Sequence, residues 1–336
     1  MSCVHPLKGF IIGKTENGKN KLMVTPYKVN HLEKVKGLWT KCFDEFKSPS
    51  HEVCDSFVEV PCGRCIECRL EYSRQWANRM MFELQDHDPD TCWFVTLTYN
   101  DENLPLVMNG EQGTLVPDDM TLFLKRLRDN QRYHYDEKIR YFYCGEYGSL
   151  LRPHYHAIIY NLHLSDVTYY GRSKAGNALY LSEYLKECWG KGFVLISPVT
   201  WDTCAYTARY VLKKTKRRSD DENYLEYCGV CPEFVRMSRK PGLGANAFSV
   251  DMFEYDWINL KTDDGGIRIQ PPKIYERMFE EVDEFAYKEY KDRKCEAAEV
   301  KRGLKLSQTD LTYTQLLEVE EMKKENAVKA LKRNIY

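Results

Sequence analysis

The chain has 336 residues, enough for one large domain or two modest ones, and 43% of them are hydrophobic, enough to bury a core. Lys and Arg number 49 against 50 Asp and Glu, a formal charge of −1, which excludes a uniformly basic DNA-coating protein while leaving room for local basic patches. No apolar run approaches the ~20 residues that span a bilayer. Met1–His5 lacks the basic and apolar pattern of a secretory leader, so a soluble intracellular protein is expected.

Residues 1–60 mix short apolar runs with turn signals (Glu16-Asn17-Gly18, Ser48-Pro49-Ser50) and are expected to be irregular, with one or two strands. Gly13-Lys14-Thr15 mimics the end of a phosphate-binding loop, but position 8 is Lys where the first Gly should stand. No ATPase or helicase of the chain's own is therefore expected. The 13 cysteines are odd in number, which argues against a disulfide scaffold. Cys62, Cys65 and Cys68 instead form C-x-x-C-x-x-C, three thiolates in a metal-binding spacing. Structural zinc needs a fourth ligand, for which Cys3, His5 and Cys54 are available, Cys3 being the first choice. An iron–sulfur cluster and free structural thiols are the alternatives. The pair Cys228 and Cys231 has no evident complement.

A helix is predicted from about Arg64 to Gln85, ending before Pro89, and residues 92–99 (CWFVTLTY) are predicted to be a buried strand. Pro117-Asp118-Asp119 opens a helix to about Asp129, with acidic residues at its positive end. Strands at 138–145 and His154–Tyr160 form a hairpin; a helix near Leu181–Trp189, a strand at Phe193–Val199 and a helix from Trp201 to about Lys214 follow. The order β-α-β-β-α-β-α is that of a ferredoxin-like split βαβ, an α+β fold with a central antiparallel sheet flanked by helices and one extra helix. Beyond Arg218 the pattern loosens into a strand-like segment at 248–253 and two helices, about 273–292 and 310–334. Three regions result: a Cys-rich part over 1–88, a core over 89–218, and an extension over 219–336 for packing or partner contacts.

The chemistry is concentrated in the core. In RPHYHAIIY, His154 and His156 fall two apart on a strand, so both imidazoles share a face and Tyr155 takes the other. Two imidazoles make half of a divalent-metal site. Folding the hairpin near residue 150 brings Glu146 beside His154, and a carboxylate with two His favours Mg²⁺ or Mn²⁺ holding a phosphate. The alternative is a chance H-x-H. In AYTARYVLKK, Tyr206 and Tyr210 are i and i+4 on a helix, and Lys213 continues that face. A phenol activated by surrounding charge is a covalent nucleophile, and two on one face allow two successive transesterifications. The alternative is that both are core aromatics, in a chain with 24 Tyr. Arg209, Lys213, Lys214, Lys216, Arg217 and Arg218 put six basic residues within ten, a solvated run or a DNA-backbone contact, with Arg236, Arg239 and Lys240 as an extension.

FVTLTY (94–99), RPHYHA (152–157) with upstream Glu146, and Y-x-x-x-Y-x-x-K (206–213) occur in this order. Together they resemble the three motifs of the HUH endonuclease superfamily in its two-tyrosine rolling-circle branch. VPCGRCIECR (60–69), CGEYG (144–148), YVLKK (210–214) and EFVRMSRKPGLG (233–244) further resemble replication initiators of the gokushovirus group of microviruses. The resemblance spans residues from about 60 to 244 and implies a sequence-directed nick of phage DNA. A 5′-phosphotyrosyl enzyme and a free 3′-OH result, followed by a second cleavage and strand transfer that closes a circle. It implies Tyr206 and Tyr210 as nucleophiles, Lys213 as a charge stabiliser, and His154, His156 and Glu146 as metal ligands. Thr96 and Thr98 would be structural support, and Arg209, Lys214, Lys216, Arg217 and Arg218 DNA contacts. Implied partners are single-stranded and origin DNA with host helicase and polymerase, in the cytoplasm of a bacterial cell and away from membranes. Alternatives are a plasmid or transposon initiator of the same chemistry and a non-catalytic, zinc-containing DNA-binding protein.

Overall fold

A computed structural model describes residues 3–16, 18–107, 110, 112–148, 150–173, 176–216, 229–262 and 265–330, with side chains omitted over 210–216 and 329–330. The described residues divide into two units: one draws on both ends of the chain, up to Arg69 and again from Ala297, and the other runs Leu70–Glu296. This is a two-way division, where composition suggested three consecutive regions.

The first unit holds more strand than expected. β1 (Leu7–Lys14), β2 (Asn20–Pro26) and β6 (Phe57–Val60) form one antiparallel sheet in the order β2-β1-β6. A second sheet, β4-β3-β5, is built from β3 (His31–Val35), β4 (Leu38–Cys42) and β5 (Glu52–Cys54). Their alternation is faint because little is buried: Phe10, Val29 and Leu32 make the apolar cluster between them. The β3–β4 hairpin closes on Lys36 and Gly37, both at positive φ (51° and 83°), the left-handed pair that a two-residue hairpin requires.

In the second unit β7 (Trp93–Tyr99), β8 (Arg140–Tyr147), β9 (Pro153–Tyr160) and β12 (Gly192–Pro198) lie in the order β12-β7-β9-β8. Helix α2 (Pro117–Gln131) links β7 to β8, and α3 (Glu183–Trp189) lies before β12. The β9 strand thus sits between β7 and β8, antiparallel to both. A hairpin not foreseen, β10 (Thr168–Arg172) with β11 (Ala178–Leu181), extends one edge, and β13 (Phe234–Met237) pairs with β8 at the other, giving seven strands. The fold is α+β with an antiparallel sheet. Period-two alternation sends Leu97, Tyr99, Tyr143, Tyr155 and Ile159 to one face, against Phe123, Leu127 and Trp189 of α2 and α3. It sends Phe94, Phe142, Ile158 and Tyr160 to the other, against α1 (Ile66–Gln85) and α4 (Trp201–Lys216).

Gly192 shows how closely β12 meets β7. A Cβ there, at φ +149°, would stand 2.4 Å from both Thr98 O and Asn100 N, so only glycine fits. After β13, residues 250–253 form a 3₁₀ turn where a strand was expected, and the strands lie further on, at β14 (Ile258–Thr262) and β15 (Gly265–Ile269). The expected two terminal helices are three: α5 (Lys273–Val282), α6 (Glu284–Ser307) and α7 (Tyr313–Ala330). Tyr275 and Phe279 of α5 pack in the core shared by α1 and α4, so this part of the extension belongs to the second unit.

Candidate functional site

Register fixes the site. Along one row of the sheet Phe193 pairs with Thr98, Thr98 with His154, and His154 with Glu146. In the next row Thr96 and Cys144 flank His156. Directly paired residues of antiparallel strands point to the same side. Both histidines and the carboxylate therefore share the face that carries α4, while Tyr155 is buried on the other and donates to Val116 O at 2.8 Å.

The three groups converge on one oxygen. Glu146 Oε1 is 2.7 Å from His154 Nε2 and 2.9 Å from His156 Nε2, with Glu146 and His156 buried and His154 at the rim. Burial alone would raise the Glu146 carboxyl, but hydrogen bonds and charge from the two imidazoles outweigh it and hold it at about 2. It is a carboxylate. The imidazoles are fixed from behind: His154 Nδ1 lies 3.1 Å from Arg152 O, and His156 Nδ1 lies 2.9 Å from Thr96 Oγ1. A carbonyl oxygen only accepts, so His154 Nδ1 carries a proton. Its Nε2 then confronts a second acceptor, the carboxylate, and that contact is favourable only with another proton or a cation in place. Two imidazoles and a carboxylate with their ligand atoms within 4.8 Å of one another meet the donor requirement of a divalent ion.

Helix α4 brings Tyr206 over this cluster. Its ring meets His156 edge-on at 5.1 Å between centroids, and its hydroxyl is 3.4 Å from His156 Nε2. Phe94 stacks on the other side of His156, centroids 5.5 Å apart. Thr200 and Thr203 start the helix through reciprocal bonds, Thr200 N to Thr203 Oγ1 at 2.9 Å and Thr203 N to Thr200 Oγ1 at 3.2 Å. Buried Cys204, Ala205 and Ala208 face the core, so Tyr206 is left half-buried at the margin.

Arg209 is exposed on α4. Tyr210, Lys213, Lys214 and Lys216 lie on the same helix with side chains outside the described residues, and Arg217, Arg218 and Cys228 are outside them altogether. Arg236 pairs in register with Tyr143, which puts it on the face opposite the histidines, so it does not extend a basic track there. Thr98 donates to Phe193 O at 3.4 Å. Phe193, which motif and spacing did not single out, ends the row of Thr98, His154 and Glu146 as a ring 70% exposed. Its signal was available in the alternation of GFVLIS, which opposes Phe193 to the buried Val194 and Ile196.

In the first unit, Cys3, Cys62, Cys65 and Cys68 come together, with all four sulfurs within 4.8 Å of one another. The other two possible fourth ligands are elsewhere. His5 pairs with Glu321 at 2.8 Å, and Cys54 Sγ donates to Ile11 O at 3.3 Å.

Residues 92–215 match the family described as replication-associated protein ORF2. The chain is 32% identical over 319 residues to the replication-associated protein ORF2 of Spiroplasma virus 4, covering 92% of this chain and 96% of the relative. It is 34% identical over 168 residues to the replication-associated protein VP4 of Bdellovibrio phage phiMH2K, or 48% and 51% of the two chains. Against the replication-associated protein ORF4 of Chlamydia phage 1 it is 32% identical over 169 residues, 49% and 40% of the two. No solved structure matches the chain.

Proposed function

The chain belongs to the family of replication-associated proteins of microvirus-like phages, and from that premise we propose that it is the origin nickase and strand transferase of a rolling-circle phage, built on an HUH core. The observation that carries this is the meeting of Glu146, His154 and His156 with the phenol of Tyr206, 3.4 Å from His156 Nε2, on one face of the sheet. The strand order β12-β7-β9-β8 is that of a ferredoxin-like split βαβ, the core expected for such enzymes. Relatedness to phage proteins favours a phage over a plasmid or transposon initiator.

Glu146, His154 and His156 would hold Mg²⁺ or Mn²⁺, which when bound supplies positive charge beside the scissile phosphate. Thr96 and the Arg152 carbonyl orient the imidazoles, so the donor set needs little rearrangement. The Tyr206 hydroxyl attacks the phosphorus: the Oη–P bond forms, the P–O3′ bond breaks, and the 3′ oxygen leaves with a proton as a free hydroxyl. Tyr210, one turn further along α4, performs the second transesterification, and Lys213 on the next turn offsets phosphate charge. Arg209, Lys214, Lys216, Arg217 and Arg218 contact the DNA backbone, and Phe193 offers a ring to an unpaired base along the same row. Duplex opening and synthesis fall to a helicase and polymerase of the host.

The test is a suicide substrate. Labelled single-stranded oligonucleotides tiling the cognate origin are incubated with the protein and Mg²⁺ or Mn²⁺ and resolved under denaturing conditions. A metal-dependent adduct mapping by mass spectrometry to Tyr206 or Tyr210 is the expected result. Tight binding with no adduct from any oligonucleotide would sink the nickase in favour of a non-catalytic DNA-binding protein.

A further inference from the structure

We propose that the first unit carries a structural zinc ion held by four thiolates, Cys3, Cys62, Cys65 and Cys68. The geometry is that of a preformed tetrahedral site. Four sulfurs ~2.3 Å from a common zinc stand roughly 3.8 Å from each other, and Cys3 Sγ and Cys65 Sγ are 3.8 Å apart. No pair among them is bonded as a disulfide. Thiolates around a multi-iron cluster each bind a different iron and stand farther apart, so this spacing fits a single ion.

Backbone amides surround the sulfurs. Cys62 N donates to Cys3 Sγ at 3.3 Å, Arg64 N and Cys65 N donate to Cys62 Sγ at 3.4 and 3.2 Å, and Cys68 N donates to Cys65 Sγ at 3.5 Å. A neutral thiol is a weak acceptor; four amides aimed at three sulfurs suit thiolates sharing a cation. Gly63, at φ 71°, makes the turn that lets the Cys62 sulfur receive two of those bonds. Cys65 and Cys68 flank the N-terminus of α1, whose positive end favours thiolate.

The unit also needs such a clamp. Its apolar interior is thin: Phe10, Val29 and Leu32 in one cluster, Cys3, Val4 and Cys65 in another. Small cores of this kind are usually stapled by a metal or by disulfides. A zinc here ties residue 3 to the start of α1, closing the loop that contains both small sheets. The remaining cluster of the unit, His31, Glu33 and Cys42, is satisfied without an ion. Glu33 accepts from Ser48 N at 2.7 Å, His51 Nδ1 at 2.8 Å and His31 Nε2 at 3.3 Å.

The experiment uses the full chain purified without chelator, with elemental analysis and zinc-edge X-ray absorption. About one zinc per chain in an all-sulfur shell at about 2.3 Å is expected. No zinc, iron in its place, or nitrogen or oxygen in the shell would overturn the assignment. Cys3→Ser should keep the fold and lose zinc to a chromophoric chelator at least about tenfold faster than the native protein, while His51→Ala should retain it. Zinc lost from His51→Ala, or held unchanged by Cys3→Ser, also counts against the four-thiolate site. Tyr206→Phe protein should carry the same zinc, so this outcome is separate from that of the nicking assay.

Discussion

Glu146, His154 and His156 reach one another through parity: an even separation on each strand and a hairpin that pairs 146 with 154. That much was legible in the sequence, because period two fixes faces before any packing is known. What spacing could not supply was the support. Thr96 was read only as scaffolding, yet its hydroxyl meets His156 Nδ1 at 2.9 Å. Thr96→Ala should raise the Mn²⁺ concentration for half-maximal nicking by about 10- to 100-fold, as loss of an outer-shell partner does, with little change in DNA binding. A metal titration of the nicking rate reads this directly, and an unshifted curve would make Thr96 a bystander. Tyr206→Phe with Tyr210→Phe should remove the covalent adduct and leave oligonucleotide affinity within about twofold, since two hydroxyls are lost and the rings stay. An adduct that persists would place the nucleophile elsewhere.

At the level of elements, the long regular pieces were legible and the short ones were not. Helix α1 and strands β7, β9 and β12 carry strong apolar patterns, whereas β10, β11 and β13 are four or five residues long at the sheet's edges, where one face is exposed. The two-residue Lys36-Gly37 turn passed unnoticed because only its glycine hints at it. Nor could sequence reveal the buried Glu83 of α1. It accepts from Arg140 of β8, from His87 at 3.1 Å and from Gly244 N at 2.6 Å, joining a helix, a strand and a loop 161 residues away. Burial would raise this carboxyl, but those bonds hold it at about 2, below its ordinary 4.5. Its contribution is therefore fully present above pH 4.5 and is lost as pH falls from there toward 2. Glu83→Gln should cost about 3 kcal/mol in urea denaturation at neutral pH. The gap to the native protein should narrow through that acid window, and a pH-independent gap would contradict the ion pairing. On β12, Phe193→Ala should weaken single-stranded oligonucleotide binding about fivefold or more through lost stacking. Stability should be unchanged within about 0.5 kcal/mol, as expected for an exposed side chain. Equal affinity would remove Phe193 from the DNA path.

For the whole molecule, composition suggested consecutive regions, and the folded chain departs from that because its first unit is discontinuous. Helix α7 completes it: Glu321 meets His5, Lys324 meets Glu67 at 3.1 Å, and Tyr313 donates to Glu59 at 3.1 Å. Such long-range partners leave no trace in local pattern, which is why residues 310–334 read only as a charged helix with no assigned place. A chain ending at Gln308 should become protease-sensitive within residues 3–60 while 70–296 stay resistant, and limited proteolysis with mass mapping checks this. Equal protection of 3–60 would show that α7 is dispensable. The discontinuity also sets a timetable. Chains emerge from the ribosome N-terminus first and fold as units when their residues are out. The unit bearing the nucleophile helix has all of Leu70–Glu296 at hand before the other has received its last helix. The cysteines are thus the first residues made and among the last to be enclosed, so a newborn chain holds its thiolates open to cellular metal and oxidant through most of its synthesis.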